Sequence, residues 1–339
     1  MRLLFELSGE HPSLPAAEAE AVAELLSPCY RRIALEPGVL VLDIPGVDDF
    51  PAERLAYTHA LHRHLFSCPV AELVENARAW LEDGKDVPQA KTVRARVHGI
   101  GGARPGVSKQ ELEKDFGELL VRRFKIDLVH PELKLRVLVS EKAHMGIALW
   151  EQDKAPLEKH KLKHRPFFSP ISLDTKLARA MVNLAGARAG STVLDPFCGT
   201  GGILIEAAHL GLKVLGSDLE WNMVEGCRQN LEHYGVKGAV VQKADIGEAG
   251  LLVGERTVDA VVTDLPYGRA SGTRGEKVAL IYQRLFRTAS SLLAPGKRLV
   301  LAVHETSLLP NSNDLRLLRS FDCRVHRSLT RHIMVFERS

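Results

Sequence analysis

The first fifty residues alternate apolar and polar positions in three ways. LLFEL is a short apolar run. PSLPAAEAEAVAELL puts Ala17, Ala21 and Leu25 on one helical face. Two strand-like runs, Arg31–Leu35 and Val39–Ile44, flank the turn signal Pro37-Gly38. The pattern predicts a small βαββ unit. FPAERLAYTHALHRHLF and PVAELVENARAWLED then read as two helices, the second ending at Gly84. KTVRARV, residues 91–97, alternates cationic and apolar residues, as a strand does with one face in a core and one presenting charge. Ser108 and Glu111 form a capping box that opens a helix over residues 108–125. LKLRVLVSEKAHMGIAL predicts a hairpin, completing a second α+β unit.

From residue 167 the periodicity changes. SLDTKLARAMVNLAG predicts a helix with Ser172 as N-cap and Gly186 as stop. TVLD, KVLGSD, AVVQKAD, VDAVVTD and KRLVLAV are short strands separated by helical stretches, and residues 321–337 read as a terminal hairpin. Strands alternating with helices predict a doubly wound, mostly parallel α/β sheet. The fold class expected is therefore α/β, with a Rossmann-like C-terminal sheet behind an N-terminal α+β region.

Composition narrows the class. Of 339 residues, 45% are hydrophobic and 26% charged, which argues against disorder, collagen and fibrous repeats. No apolar run approaches the roughly 18 residues of a membrane span, and the N-terminus lacks a signal-peptide pattern. Cys29, Cys68, Cys198, Cys227 and Cys323 are scattered without CxxC spacing, so neither a disulfide framework nor a zinc site is expected, and a cytoplasmic location is. His59, His62 and His64 lie close together but lack a completing ligand, so they are expected as helix surface and packing residues.

The net charge of +3 hides an uneven distribution. Residues 1–88 hold 7 Lys/Arg against 15 Asp/Glu, whereas residues 89–166 hold 17 against 10. A basic middle segment suits a nucleic-acid partner. Within it, Lys91, Arg94 and Arg96, and the connector residues Lys159, Lys161, Lys163 and Arg165, are the candidate phosphate contacts. A plain solvated surface and linker is the alternative.

Three loops carry chemistry. Asp195-Pro196-Phe197-Cys198-Gly199-Thr200-Gly201-Gly202 lies between a strand and a helix, where glycines let a ligand approach the backbone. It matches neither the dinucleotide GxGxxG nor a phosphate loop. Asp195 at its start would repel a pyrophosphate but attract the amine and sulfonium of S-adenosylmethionine. Asp218 ends the next strand, where it could accept hydrogen bonds from ribose hydroxyls or cap a helix beginning near Asn222. Asp245 ends the third strand, within reach of an adenine. The third loop is Thr263-Asp264-Leu265-Pro266-Tyr267-Gly268. There Tyr267 could stack on a planar base, while Asp264 and a carbonyl near Leu265–Pro266 accept from its exocyclic amine. Such acceptors bias the nitrogen lone pair toward an electrophilic methyl.

DPFCGTGG, GSDL and TDLPYG, in that order, resemble S-adenosylmethionine-dependent amino-methyltransferases. With RPFFSPISLDTKLARAMVNLAG and IDLVHPELKLRVLVSE, the chain resembles THUMP-domain tRNA methyltransferases, and among them the archaeal tRNA guanine-10 N2-methyltransferase family. The resemblance covers nearly the whole chain. It implies a ferredoxin-like unit over residues 1–50, a THUMP RNA-binding domain over 51–150, a basic linker over 151–166 and a methyltransferase domain over 167–339. It assigns the catalytic loop to Asp264, Pro266 and Tyr267, and the cofactor to Gly199, Gly201 and Asp218. The partner implied is tRNA, methylated once or twice on guanine N2. No metal or membrane is expected, and the oligomeric state stays open, with a monomer favoured. One departure is Leu265, where the family carries a second proline. Two other readings remain: methylation of a different exocyclic amine, such as adenine N6, and a catalytically silent tRNA-binding protein.

Overall fold

The computed structural model describes residues 1–100, 108–169, 172–253, 258–266, 277–326 and 329–339. The chain divides into two compact units. One comprises Met1–Ala19, Leu26–Glu53 and Tyr57–Gln152; the other comprises Glu20–Leu25, Arg54–Ala56 and Asp153–Ser339.

The elements of the N-terminal half are β1 (Arg2–Leu7), α1 (Leu14–Leu26), β2 (Arg31–Glu36), β3 (Val39–Asp43), β4 (Thr58–Cys68), α2 (Leu73–Asp83), β5 (Thr92–Gly99), α3 (Lys109–Leu120), β6 (Lys125–Ile126), β7 (Leu133–Val139) and β8 (Ala143–Glu151). Its strands form one sheet in the order β2-β3-β1-β4-β8-β7-β5-β6. The expected boundary at residue 50 thus lies between two strands of a single sheet. α2 and α3 bury Leu73, Ala77, Leu112 and Phe116 against Val93, Val97, Leu135 and Val137. The capping box of Ser108 and Glu111 forms as its spacing predicts, and Gly84 closes α2 at φ 69°.

Residues 58–68 correct the sequence reading. They are a strand, not a helix, and β4 is hydrogen-bonded to β1 on one side and β8 on the other. Thr58, Ala60, Leu61 and His62 are all buried. A central strand covered on both faces loses the polar–apolar alternation that identifies a half-exposed one. The unpaired edges of β1 and β8 outweigh the helix propensity of Ala, Leu and Arg. His62 is consequently a buried strand residue beside Glu6, rather than part of a helix surface.

In the second unit, α4 (Ala155–Lys159) precedes α5 (Thr175–Leu184), β9 (Thr192–Asp195), α6 (Gly202–His209), β10 (Lys213–Asp218), α7 (Trp221–His233), β11 (Val240–Lys243), α8 (Ala249–Val253), β12 (Val258–Asp264), α9 (Val278–Leu292), β13 (Leu293–Val303), β14 (Leu315–His326) and β15 (Leu329–Arg338). The sheet order is β11-β10-β9-β12-β13-β15-β14. β9 to β13 are parallel, and β15 runs antiparallel between β13 and β14. The chain winds outward from β9 in one direction and from β12 in the other. Their carboxyl ends therefore open on a crevice where α/β sheets bind ligands. The N-cap of α5 is Asp174, which accepts from the N–H groups of Lys176 and Leu177, in place of the expected Ser172.

The connector is docked on this unit. His160 is buried, with Nδ1 2.7 Å from Glu206 Oε1, and Arg179 Nε donates to Glu206 Oε2 at 2.7 Å. Glu206 lies wholly inside, yet the hydrogen bond with His160 and the charge of Arg179 hold its carboxyl below the usual range against the cost of burial. Removing one member of such a cluster strands the others in low dielectric. Glu206→Ala is therefore expected to lower the unfolding free energy by about 3 kcal/mol or more. Urea unfolding of the full chain measures this, and an unchanged midpoint would show that the cluster adds nothing.

Candidate active site

The crevice is built at four strand ends. Asp195, the last residue of β9, is 1% exposed. Its Oδ1 accepts from Thr263 Oγ1 at 2.7 Å and from Phe197 N at 3.2 Å. Burial pushes its carboxyl up to about 7, because these two donors only partly replace water and Asp264 and Asp218 add like charge. The glycine loop follows. Gly201 sits at φ 85°, and a Cβ there would meet Cys227 Sγ at 2.7 Å, so only glycine fits. Cys227 is the floor under this loop.

Asp218 clamps the loop. Its Oδ2 accepts from Gly199 N at 3.0 Å, and its Oδ1 accepts from Glu220 N at 2.9 Å. Burial raises its carboxyl despite those donors. α7 begins at Trp221 with Glu220 as N-cap, so Asp218 lies upstream of the capping position. Ser172 shares a hydrogen bond of 3.1 Å with Thr200 and lines the same cavity. Asp245 lies on the cavity wall with Ile246. Its Oδ1 accepts from Gly247 N at 2.8 Å and pairs with Arg284.

Asp264 ends β12. Burial pushes its carboxyl up to about 6, with the Arg331 guanidinium opposing the rise. Arg331 Nη2 lies 3.3 Å from Asp264 Oδ2, whereas the buried Oδ1 has no hydrogen-bond partner among the described residues. Pro266 follows, half-buried at the cavity wall. Tyr267 lies outside the described residues. Leu265 has a definite place: its side chain is 1% exposed in the core, and its N–H donates to Ala302 O at 3.0 Å. A proline could not make that bond. Burial and a sheet-type hydrogen bond thus stiffen this loop.

Several acids around one cleft suit a cationic ligand. A family model described as an RMKL-like methyltransferase domain matches residues 163–333. The tRNA (guanine(10)-N2)-dimethyltransferase of Methanothermobacter thermautotrophicus is 36% identical over 344 residues, spanning 100% of both chains. The chain belongs to this family. The Pyrococcus abyssi protein of the same name is 32% identical over 98% of each chain. TrmN from Thermus thermophilus shares the fold, with a TM-score of 0.54 at 23% identity over 100% of both chains. This family member is an S-adenosylmethionine-dependent methyltransferase. The crevice fits that cofactor: a glycine cradle closed to any Cβ at Gly201, with a buried acid at Asp195 and a half-buried one at Asp218.

The basic residues separate into three groups. Lys91, Arg94 and Arg96 lie on or beside β5, where Arg94 neighbours Lys134 and Arg96 neighbours Arg136 on β7. The pairing makes a longer cationic row than the heptapeptide alone suggests. Lys159, Lys161 and Lys163 are exposed, but Glu158 pairs with Lys161 at 2.6 Å and with Lys163 at 3.0 Å. Arg165 corrects the sequence reading. It is 5% exposed, lies against Gly202, and its Nε donates to His160 O at 2.9 Å, so it is not available to a phosphate backbone. Among the described residues no group of three His, Cys, Asp or Glu side chains is placed to hold a metal ion, and no helix is long and apolar enough to cross a membrane. Sequence reasoning gave Thr263 no role and missed Arg331, although these two side chains touch Asp195 and Asp264.

Asp195 gives the site a pH dependence. A cationic ligand favours the ionised carboxylate, so binding and deprotonation are linked. Affinity for S-adenosylmethionine is expected to fall by up to about tenfold per unit below pH 7 and to level off above it. Calorimetric titration across pH 5.5–8.5 measures this, and Asp195→Asn should flatten the curve.

Proposed function

We propose that this enzyme transfers methyl groups to the exocyclic N2 of a guanine in tRNA, at position 10, giving the mono- and then the dimethylated base. The observation that carries the reading is Oδ1 of Asp264, an unsatisfied buried acceptor on the wall of the cofactor cleft. The names of the full-length relatives support the choice of substrate.

When bound, S-adenosylmethionine supplies an electrophilic methyl carried on a sulfonium. Gly199 and Gly201 would allow its close approach to the backbone, Asp195 would neutralise its positive charge, Asp218 would accept from its ribose hydroxyls, and Asp245 would stand by its adenine. The target guanine leaves its stack to reach the cleft. Asp264 Oδ1 accepts one N2–H, and a main-chain carbonyl at Leu265–Pro266 accepts the other. Both bonds turn the nitrogen lone pair out of conjugation and toward the methyl. Methyl transfer would leave a surplus proton on N2, which Asp264 would take and pass to solvent. Pro266 keeps the loop rigid, and Tyr267 stacks on the base.

The same reading gives residues 1–50 a ferredoxin-like role and residues 51–150 the role of a THUMP domain holding tRNA. Lys91, Arg94, Arg96, Lys159, Lys161 and Lys163 meet RNA phosphates. The enzyme works as a cytoplasmic monomer without a metal.

Asp264→Ala is expected to lower methyl transfer to a tRNA transcript by about 100-fold or more while tRNA binding persists. A transcript carrying adenine at position 10 serves as the substrate control, and wild-type turnover by the variant would sink the mechanism. Replacing Lys91, Arg94 and Arg96 with Ala should reduce the slope of log affinity for tRNA against log salt by about one for each phosphate interaction removed, leaving cofactor affinity unchanged. An unaltered slope would remove these residues from the interface.

A further inference from the structure

We infer that Arg331 is the positioning residue for Asp264: its guanidinium claims one carboxylate oxygen and so presents the other to the amine being methylated. The inference rests on the reading of Asp264 as the acceptor of that amine.

Arg331 comes from a part of the chain that carries no cofactor or substrate motif. It lies near the start of β15, the antiparallel strand inserted beside β13. Asp264 is level with Ala302 on β13, and Ala302 with Ile333 on β15, so Arg331 reaches across one whole strand to the end of β12. Both side chains are enclosed, at 7% exposure for Arg331 and 17% for Asp264. The contact is one-sided: Nη2 approaches Oδ2 at 3.3 Å, and Oδ1 has no partner among the described residues. A carboxylate fixed by one oxygen has its remaining lone pairs aimed in a set direction, which a freely rotating Asp would not.

Charge acts in the same sense. Among the described residues, Asp195 on β9 and Tyr282 on α9 face Asp264, Glu305 after β13 faces Tyr282, and His304 and Cys323 face Arg331. Asp195 and Glu305 are acids, burial pushes the Tyr282 hydroxyl up to about 12, and burial holds His304 below its ordinary value. Among the described residues, Arg331 is the cation that keeps Asp264 ionised. Burial alone drives that carboxyl toward the protonated form, in which it is a weaker acceptor and cannot take the amine's proton.

The test is single-turnover methyl transfer by the full-length enzyme as a function of pH. Arg331→Met is expected to lower the rate about 10- to 100-fold at pH 7 and to move the acid limb upward by about one unit, so that the loss shrinks as pH rises. Affinity for S-adenosylmethionine, measured separately, should change less than about threefold, since Arg331 does not line the cofactor cavity. Arg331→Lys, which keeps the charge without the planar fork, should restore the acid limb and part of the rate. If the Met variant does not fold, Arg331→Gln carries the same test, with the limb again displaced upward. A neutral variant with a wild-type rate and limb, alongside an inactive Asp264→Asn, overturns the inference and leaves the role of Asp264 standing. An equal loss in the Lys and neutral variants with no displaced limb also overturns it, because that is the mark of a merely structural pair. Wild-type turnover by Asp264→Asn instead overturns the reading of Asp264 itself.

Discussion

Two carboxylates at neighbouring strand ends govern the second unit. β9 and β12 are parallel partners, and they end on Asp195 and Asp264. Both acids are pushed upward by burial, and the charge on Asp264 makes Asp195 harder to ionise. Low dielectric amplifies that conflict. The fold answers it separately at each acid, with the Thr263 hydroxyl and Phe197 N–H on Asp195, and with Arg331 on Asp264. What remains is a surplus of negative potential facing the crevice. A pyrophosphate would deepen the imbalance, whereas a sulfonium and an ammonium relieve it. The chemistry of the cofactor is in this sense chosen by the cost of burying the acids.

The loops that carry these acids are held by unlike means. Asp218 ties the glycine loop to β10 through Gly199 N, and Cys227 of α7 fills the space a side chain at Gly201 would need. The loop after β12 is anchored by Leu265, which enters the core and bonds to β13. A buried side chain with a ladder hydrogen bond restrains the chain, but that restraint depends on β13 being in register.

The connector shows how charge counts mislead when pairing is unknown. Glu158 neutralises part of the lysine run, and His160 and Arg165 turn inward, so the exposed positive charge there is smaller than the residue count implies. On β5 the error runs the other way. Lys134 and Arg136 of β7 extend the cationic row of Arg94 and Arg96, although Arg136 also pairs with Glu151 at 2.9 Å.

The sequence by itself determined the succession of strands and helices after residue 167, the glycine loop, the acids at the strand ends and the capping box at Ser108. These are short-range properties. They follow from periodicity, from which residues tolerate positive φ, and from the placement of acids where a strand stops. The tertiary structure alone decided that residues 58–68 form a central strand, that Arg165 is buried, that Asp174 rather than Ser172 caps α5, and that Arg331 meets Asp264. Each depends on which elements become neighbours: a strand with both edges paired and both faces covered shows no alternation, and a side chain that reaches across β13 has no fixed spacing from its partner along the chain.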